Sequence, residues 1–158
     1  LLVLSNIAYS QRNCTTDEYN KNLLENNIEF NQIQQELEKF SHSKIHFTFT
    51  PHLSPMFRGI LSTIYVELKT GTSVSKIQKT LASYYKKEEF IKIMKINSLL
   101  GTNHVINTNN CLISVCKTKY KNKLIILSAI DNLIKGGAGQ AVQNMNLRFN
   151  FNKKAGLK

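Results

Sequence analysis

An α+β domain is what this sequence predicts: a mixed, mostly antiparallel sheet with helices on one face. Three observations predict it. The runs Ile45-His46-Phe47-Thr48-Phe49-Thr50 and Ile64-Tyr65-Val66-Glu67-Leu68-Lys69 alternate apolar and polar residues, the period of half-buried strands. Two other stretches, 31–40 and 74–85, carry apolar residues at helical spacing. A third kind of stretch, Leu124 to Ile130, has no polar residue but Ser128 and reads as a buried strand running into a turn and a helix. Four or five such strands with about three helices make one helical layer on one sheet.

Residues 1–30 are poorly assigned. The first 26 hold no Gly or Pro, and Arg12 to Glu18 is polar without periodicity. From Asn31 to Phe40, Ile33, Leu37 and Phe40 share one side of a helix, leaving Gln34, Gln35, Glu38 and Lys39 to water. The strand 45–50 follows, with Ile45, Phe47 and Phe49 inward and His46 outward. Pro51 and Pro55 bracket a loop holding His52, and Arg58-Gly59 closes it. Ile64, Val66 and Leu68 mark the next strand. Thr70-Gly71-Thr72-Ser73 is a turn feeding a helix whose buried stripe is Val74, Ile77, Leu81 and Tyr84 or Tyr85. Phe90 to Met94 reads as a strand, Leu99 to Asn110 as a loop, and Cys111 to Cys116 as a strand. A hairpin turn at Tyr120 to Lys123 leads into the Leu124 strand.

The stretch after that strand is the most informative. Asp131 is a good N-cap, its carboxylate able to accept from N–H groups that lack intrahelical partners. Ile134, Ala138, Ala141, Val142 and Met145 recur at helical spacing and predict one apolar stripe. Gly136, Gly137 and Gly139 stand against that helix, since each glycine costs roughly 1 kcal/mol relative to alanine. They imply a close approach, either of another element or of a ligand.

Composition narrows the class. The 158 residues are 42% apolar and 20% charged, ordinary for one globular domain. No run of eighteen apolar residues offers a membrane span. Net charge is +11, yet the lysines are dispersed, with no Arg cluster, so a solvated basic surface is expected rather than nucleic-acid binding. Cys111 and Cys116, five apart on one strand, face opposite sides, and Cys14 is isolated. Three unpaired cysteines fit a reducing compartment, the cytoplasm, and no metal site is expected.

The run Ile130-Asp131-Asn132-Leu133-Ile134-Lys135-Gly136-Gly137-Ala138-Gly139-Gln140-Ala141-Val142-Gln143-Asn144-Met145-Asn146-Leu147 resembles the C-terminal signature of the N-acetyl-γ-glutamyl-phosphate reductases. Those are NADP-dependent members of the semialdehyde dehydrogenase group. Phe49 to Gly71, the stretch Asn103-His104-Val105 through Val115, and the ending Ala155-Gly156-Leu157 are similar to further segments of that family, in the family's order. The resemblance spans roughly Gln32 to Leu157. It implies the glyceraldehyde-3-phosphate-dehydrogenase-like C-terminal fold for residues 31–158, with helices on one sheet face and subunit contact on the other. A homo-oligomer through that sheet face follows.

The family's reaction, as the resemblance implies it, reduces an acyl phosphate to a semialdehyde with NADPH, through a cysteine thioester and a histidine acid/base. No G-x-G-x-x-G follows a strand here, so the NADP-binding Rossmann domain is missing from this chain. None of Cys14, Cys111 and Cys116 has the family's Pro-Gly-Cys-Tyr context, so the nucleophile is expected to be absent. Anchoring on Ile33, Glu36 and Leu37 puts the family's two histidines at Asn27 and Glu29, neither of which can act as an imidazole. His52 is a lone loop histidine and is not expected to substitute. Arg58 is the candidate for holding a substrate carboxylate or phosphate. Asn132, Lys135, Gly136 and Gly137 are the candidates for approaching the nicotinamide end of NADP.

The expectation is therefore the C-terminal part of a reductase acting on N-acetylglutamyl phosphate in arginine biosynthesis, inactive by itself. With no initiating Met, the chain reads as a fragment. The alternative is a non-catalytic standalone relic serving as a structural or protein-interaction module.

Overall fold

The computed structural model describes residues 28–41, 44 and 55–158. The chain divides into two units, Leu1–Pro55 and Met56–Lys158. In the first, helix α1 runs Ile28–Ser41, beginning ahead of the Asn31 that periodicity marks. Its Ile33 and Leu37 are half-buried, while Gln35 and Lys39 face water. Gln34 Nε2 donates to Glu38 Oε1 at 2.9 Å, and Lys39 pairs with Glu36 at 2.6 Å, the neighbours that helical spacing creates. The expected strand 45–50, the His52 loop, Cys14 and Asn27 lie outside the described residues. Glu29 lies on the backbone of α1.

The second unit is a four-stranded sheet with its helices. Strands β1 (Ile60–Glu67), β2 (Ile91–Ile93), β3 (Cys111–Lys117) and β4 (Lys123–Ile130) stand in the order β1-β4-β3-β2. β4 is antiparallel to both β1 and β3, whereas β2 runs parallel to β3. Register puts Val66 opposite Leu124 and Ile126 opposite Val115, so these side chains share a face.

Helix α2 (Val74–Tyr84) covers that face. Its N-cap, Ser73, accepts from the Lys76 N–H at 3.2 Å. Leu81 and Tyr85 pack on Ile113, Val115 and Leu124, with Val74 and Ile77 beside them. Tyr85 is therefore the inward one of the pair, and Tyr84 is exposed. Burial first, then the neighbouring Tyr84, Cys111 and Glu88, push the Tyr85 phenol up to about 12.

A parallel β2–β3 pair needs a crossover, and residues 94–110 supply it. That segment holds a short 3-10 turn at Thr102–His104 and lays Leu100 and Val105 on Leu112, Leu127 and Ala129, covering part of the second face. Towards β1 the same face stays open, with Leu61 and Tyr65 exposed. Cys111 and Cys116 point to opposite faces, Cys111 Sγ lying 3.6 Å from Ser128 Oγ and Cys116 Sγ 3.7 Å from Ser114 Oγ.

The helix expected after β4 is two structures. A wide turn at Ile134–Ala138 is closed by i→i−5 bonds, Gly136 N–H to Asp131 O at 2.8 Å and Ala138 N–H to Leu133 O at 3.0 Å. Helix α3 (Gly139–Arg148) follows across a kink at Gly137. The apolar stripe Ile134, Ala138, Ala141, Val142 and Met145 is thereby corrected. Lys135, Gly139, Gln143 and Asn146 are the buried residues, whereas Ala138, Ala141 and Met145 are exposed. A regular helix advances about 100° per residue; the wide turn advances less, and the phase read from a single helix slips. α3 ends in a Schellman cap, Phe151 N–H to Asn146 O at 2.8 Å, with Asn150 in the left-handed region at φ 56°.

Candidate functional site

Asp131 is the node of the site. It follows a strand that is buried through Ala129 and Ile130, and its carboxylate is 0% exposed. Oδ1 accepts from Leu133 N–H at 2.9 Å, Ile134 N–H at 3.1 Å and Arg58 Nε at 3.0 Å. Oδ2 accepts from Asn107 N–H at 2.7 Å and from Arg58 Nη2 at 2.8 Å. Burial alone would raise this carboxyl. The Arg58 guanidinium and the N–H groups of Asn107, Leu133 and Ile134 together override it and hold the group below the ordinary carboxylate range. Asp131 thus does what an N-cap does, and also ties the lead-in to β1 and the 94–110 crossover to the wide turn.

Next to it, Asn132 Oδ1 accepts from the Gly59 N–H at 3.0 Å. Gly59 has φ 108°, and a Cβ there would lie 2.6 Å from Thr102 Cβ. Both facts demand glycine. Gly59→Ala is expected to destabilise the domain by about 2 kcal/mol, read as a fall in denaturation midpoint without a change in slope.

The structure places the predicted residues as follows. Arg58 spends one guanidinium edge on Asp131 and is 20% exposed, so part of it still meets solvent. Asn132 is half-buried, Gly136 rests beside Ile130 and Ile60, and Gly137 is exposed, its backbone carrying no side chain. Lys135 turns inward. It is 8% exposed, its Nζ donates to Gln143 Oε1 at 2.7 Å, and it stands 5.6 Å over the Phe90 ring. Among the described residues no carboxylate lies within ion-pair distance of it. Burial pulls the Lys135 ammonium below its usual value, only partly opposed by Cys111 and Glu88.

That depression has a consequence for pH. Between the lowered folded value and the ordinary unfolded value of about 10.4, the unfolded chain holds a proton that the folded one has lost. Stability should therefore rise with pH through that window, and Lys135→Met should flatten the rise. Denaturant titrations at a series of pH values check it. The Tyr85 shift, from 10.0 to about 12, acts in the opposite sense only at higher pH.

Gln143 and Asn109 are site residues that sequence reasoning missed. Asn109 Nδ2 donates to the same Gln143 Oε1 at 2.9 Å, and Asn109 Oδ1 is buried without a partner among the described residues. A Cβ on Gly139 would lie 2.5 Å from that oxygen and 2.8 Å from Ile134 O, so this glycine serves close packing. Cys111 is half-buried nearby. Burial raises its thiol, opposed by the Ser128 hydrogen bond and the Lys135 charge, which disfavours the thiolate a nucleophile needs.

Comparison with known proteins gives this arrangement a context. Residues 14–132 match the family described as the semialdehyde dehydrogenase dimerisation domain. The chain is 44% identical over 126 residues to an N-acetyl-gamma-glutamyl-phosphate reductase of Thermoanaerobacter pseudethanolicus, covering 80% of this chain and 37% of that protein. A reductase of the same name from Geobacter metallireducens is 44% identical over 80% of this chain and 36% of its own length. One from Clostridium botulinum is 42% identical, with 80% and 37% covered. The chain thus spans little more than a third of the length of the curated relatives it matches.

Proposed function

This chain belongs to the semialdehyde dehydrogenase family through its dimerisation domain, and from that premise we propose that it is the C-terminal part of an N-acetyl-γ-glutamyl-phosphate reductase. The parent polypeptide reduces N-acetylglutamyl phosphate to the semialdehyde with NADPH, in the cytoplasm, as a step of arginine biosynthesis. The observation that carries this reading is the 44% identity, over 80% of the chain, to a protein of that name. Residues 31–158 are the catalytic and dimerisation domain, and the NADP-binding domain is supplied by the rest of the parent.

NADPH, when bound, supplies the hydride. The residues that would approach its nicotinamide end are Gly137, exposed and without a side chain, with the half-buried Asn132 and Gly136 close by in the chain. Lys135 contributes a positive charge from beneath the turn. Asp131 fixes Arg58 by one edge, which leaves the guanidinium's other N–H groups for the carboxylate or phosphate of the substrate. Lacking nucleophile and dinucleotide fold, the isolated chain is inactive.

The homo-oligomer forms through the open part of the second sheet face, where Tyr65 is 79% and Leu61 38% exposed. Sedimentation of the isolated chain should give a dimer, and Leu61→Lys with Tyr65→Lys a folded monomer. A wild-type monomer at high micromolar concentration, or a dimer indifferent to both changes, would remove this interface.

A further inference from the structure

The segment after α3 makes contacts that neither the sheet nor the reductase reading calls for. Asn146, 2% exposed, donates Nδ2 to Ala155 O at 2.9 Å and lies 3.4 Å from Lys153 O. Lys153 pairs with Glu88 at 3.5 Å and Lys154 with Glu89 at 3.3 Å, just ahead of Phe90 and β2. At its far end, Lys158 O accepts from the Asn109 N–H at 2.6 Å. The tail is thus held at the Phe90 side and at the Asn109 side of one cluster, the buried Lys135–Gln143–Asn109 group.

We propose that the segment Phe151–Lys158 is a releasable strap that keeps the Lys135–Gln143–Asn109 cluster dry and so holds the Ile134–Ala138 turn in its wide form. The two halves of this statement rest on different observations. Releasability follows from the strap's own ties: both ion pairs are solvent-exposed, and six of its eight residues, Phe151 among them, are exposed. Segments held this way open at much lower free energy than a sheet core. The need for dryness follows from the cluster. An ammonium with an amide oxygen and an aromatic face as its neighbours keeps this geometry only while water does not compete for it. The groups facing Lys135 are Cys111 from β3, Glu88 ahead of β2, Phe90, and Gln143 from α3, with Lys153 behind Glu88. Opening the strap frees Glu88 from Lys153 and uncovers Asn109 in one motion. The wide turn then loses the anchor that points Lys135 inward.

The test labels lysines in the full chain with a small acylating reagent and follows each site by peptide mass spectrometry, alongside amide hydrogen exchange. In the wild type Lys135 should be the slowest-labelled lysine of residues 56–158. In the full chain carrying Asn146→Ala, Lys153→Glu and Lys154→Glu together, its labelling should accelerate about tenfold or more. Exchange at Gly136 and Ala138 should rise with it, while Leu127 and Ala129 in β4 stay protected. A chain ending at Asn152 should behave the same way. Fast labelling of Lys135 in the wild type overturns the proposal. So does an unchanged rate in both variants, or a β4 exchange that rises in step, which would make the tail a contributor to global stability alone. None of these outcomes depends on the reductase reading, because none measures activity.

Discussion

Asp131→Ala is expected to destabilise the second unit by about 3–5 kcal/mol, because it leaves the Arg58 guanidinium buried in large part without its partner. The loss has a second source. Three backbone N–H groups, of Asn107, Leu133 and Ile134, lose their acceptor at the same time, and an unsatisfied buried donor costs about 1–3 kcal/mol. Asp131→Asn keeps the shape but cannot accept from all these donors, so it should recover only part of the loss. The same carboxylate sets the acid limit. Its folded value is depressed, so its contribution is complete above the unfolded value near 3.9 and drains away as pH falls through the folded value. Stability measured from pH 6 downward should drop below about pH 4 in the wild type and be flatter there in Asp131→Asn.

Gly139→Val should be the other severe substitution, costing about 3 kcal/mol or more. The first added carbon would meet Asn109 Oδ1 at 2.5 Å, Ile134 Cγ2 at 2.6 Å and Ile134 O at 2.8 Å. The last of these is backbone and belongs to the wide turn, so relief requires moving the turn itself. Gly139→Ala should already show most of the effect, since the clash is with Cβ. By contrast Gly71→Ala has open space around its Cβ and only an unfavourable φ of 80° to bear, so its loss should be smaller. Thermal or chemical denaturation of the three variants, with far-UV circular dichroism to confirm the native fold, checks the order.

Much of the fold is legible in the sequence where one physical signal acts alone. β4 is found because Leu124 to Ile130 is apolar but for Ser128, and α2 because its apolar stripe follows directly on the turn at Thr70 to Ser73. β1 begins earlier than its alternation shows, since Ser62 is an inward polar residue and Leu61 an outward apolar one, which blurs the period at its start. The direction of β2 is not written in a strand of three residues; it follows from the path of the crossover.

The constrained turn after β4 is legible in the sequence, but the wiring around it is not. Asp131 and the glycines announce a constrained turn, yet Arg58 lies 73 residues from Asp131, and Gln143 lies 34 from Asn109. No local pattern links such pairs. The wide turn escaped for a different reason. Helical periodicity assumes a constant rotation per residue, and a single segment of i→i−5 bonds defeats it, so polar Lys135 and Gln143 became the interior and Ala138 and Met145 the surface. The polarity of that buried side is what an amphipathic reading discards.

The most direct test of the reductase assignment is a chimaera. Residues from Asn31 onward would replace the corresponding part of the Thermoanaerobacter pseudethanolicus reductase, so that everything ahead of that part comes from the relative. With N-acetylglutamyl phosphate as substrate, the assignment predicts NADPH consumption that disappears with Asp131→Ala and is absent in the isolated chain. A chimaera that is folded, dimeric and able to bind NADPH, yet consumes none with this substrate, would contradict it.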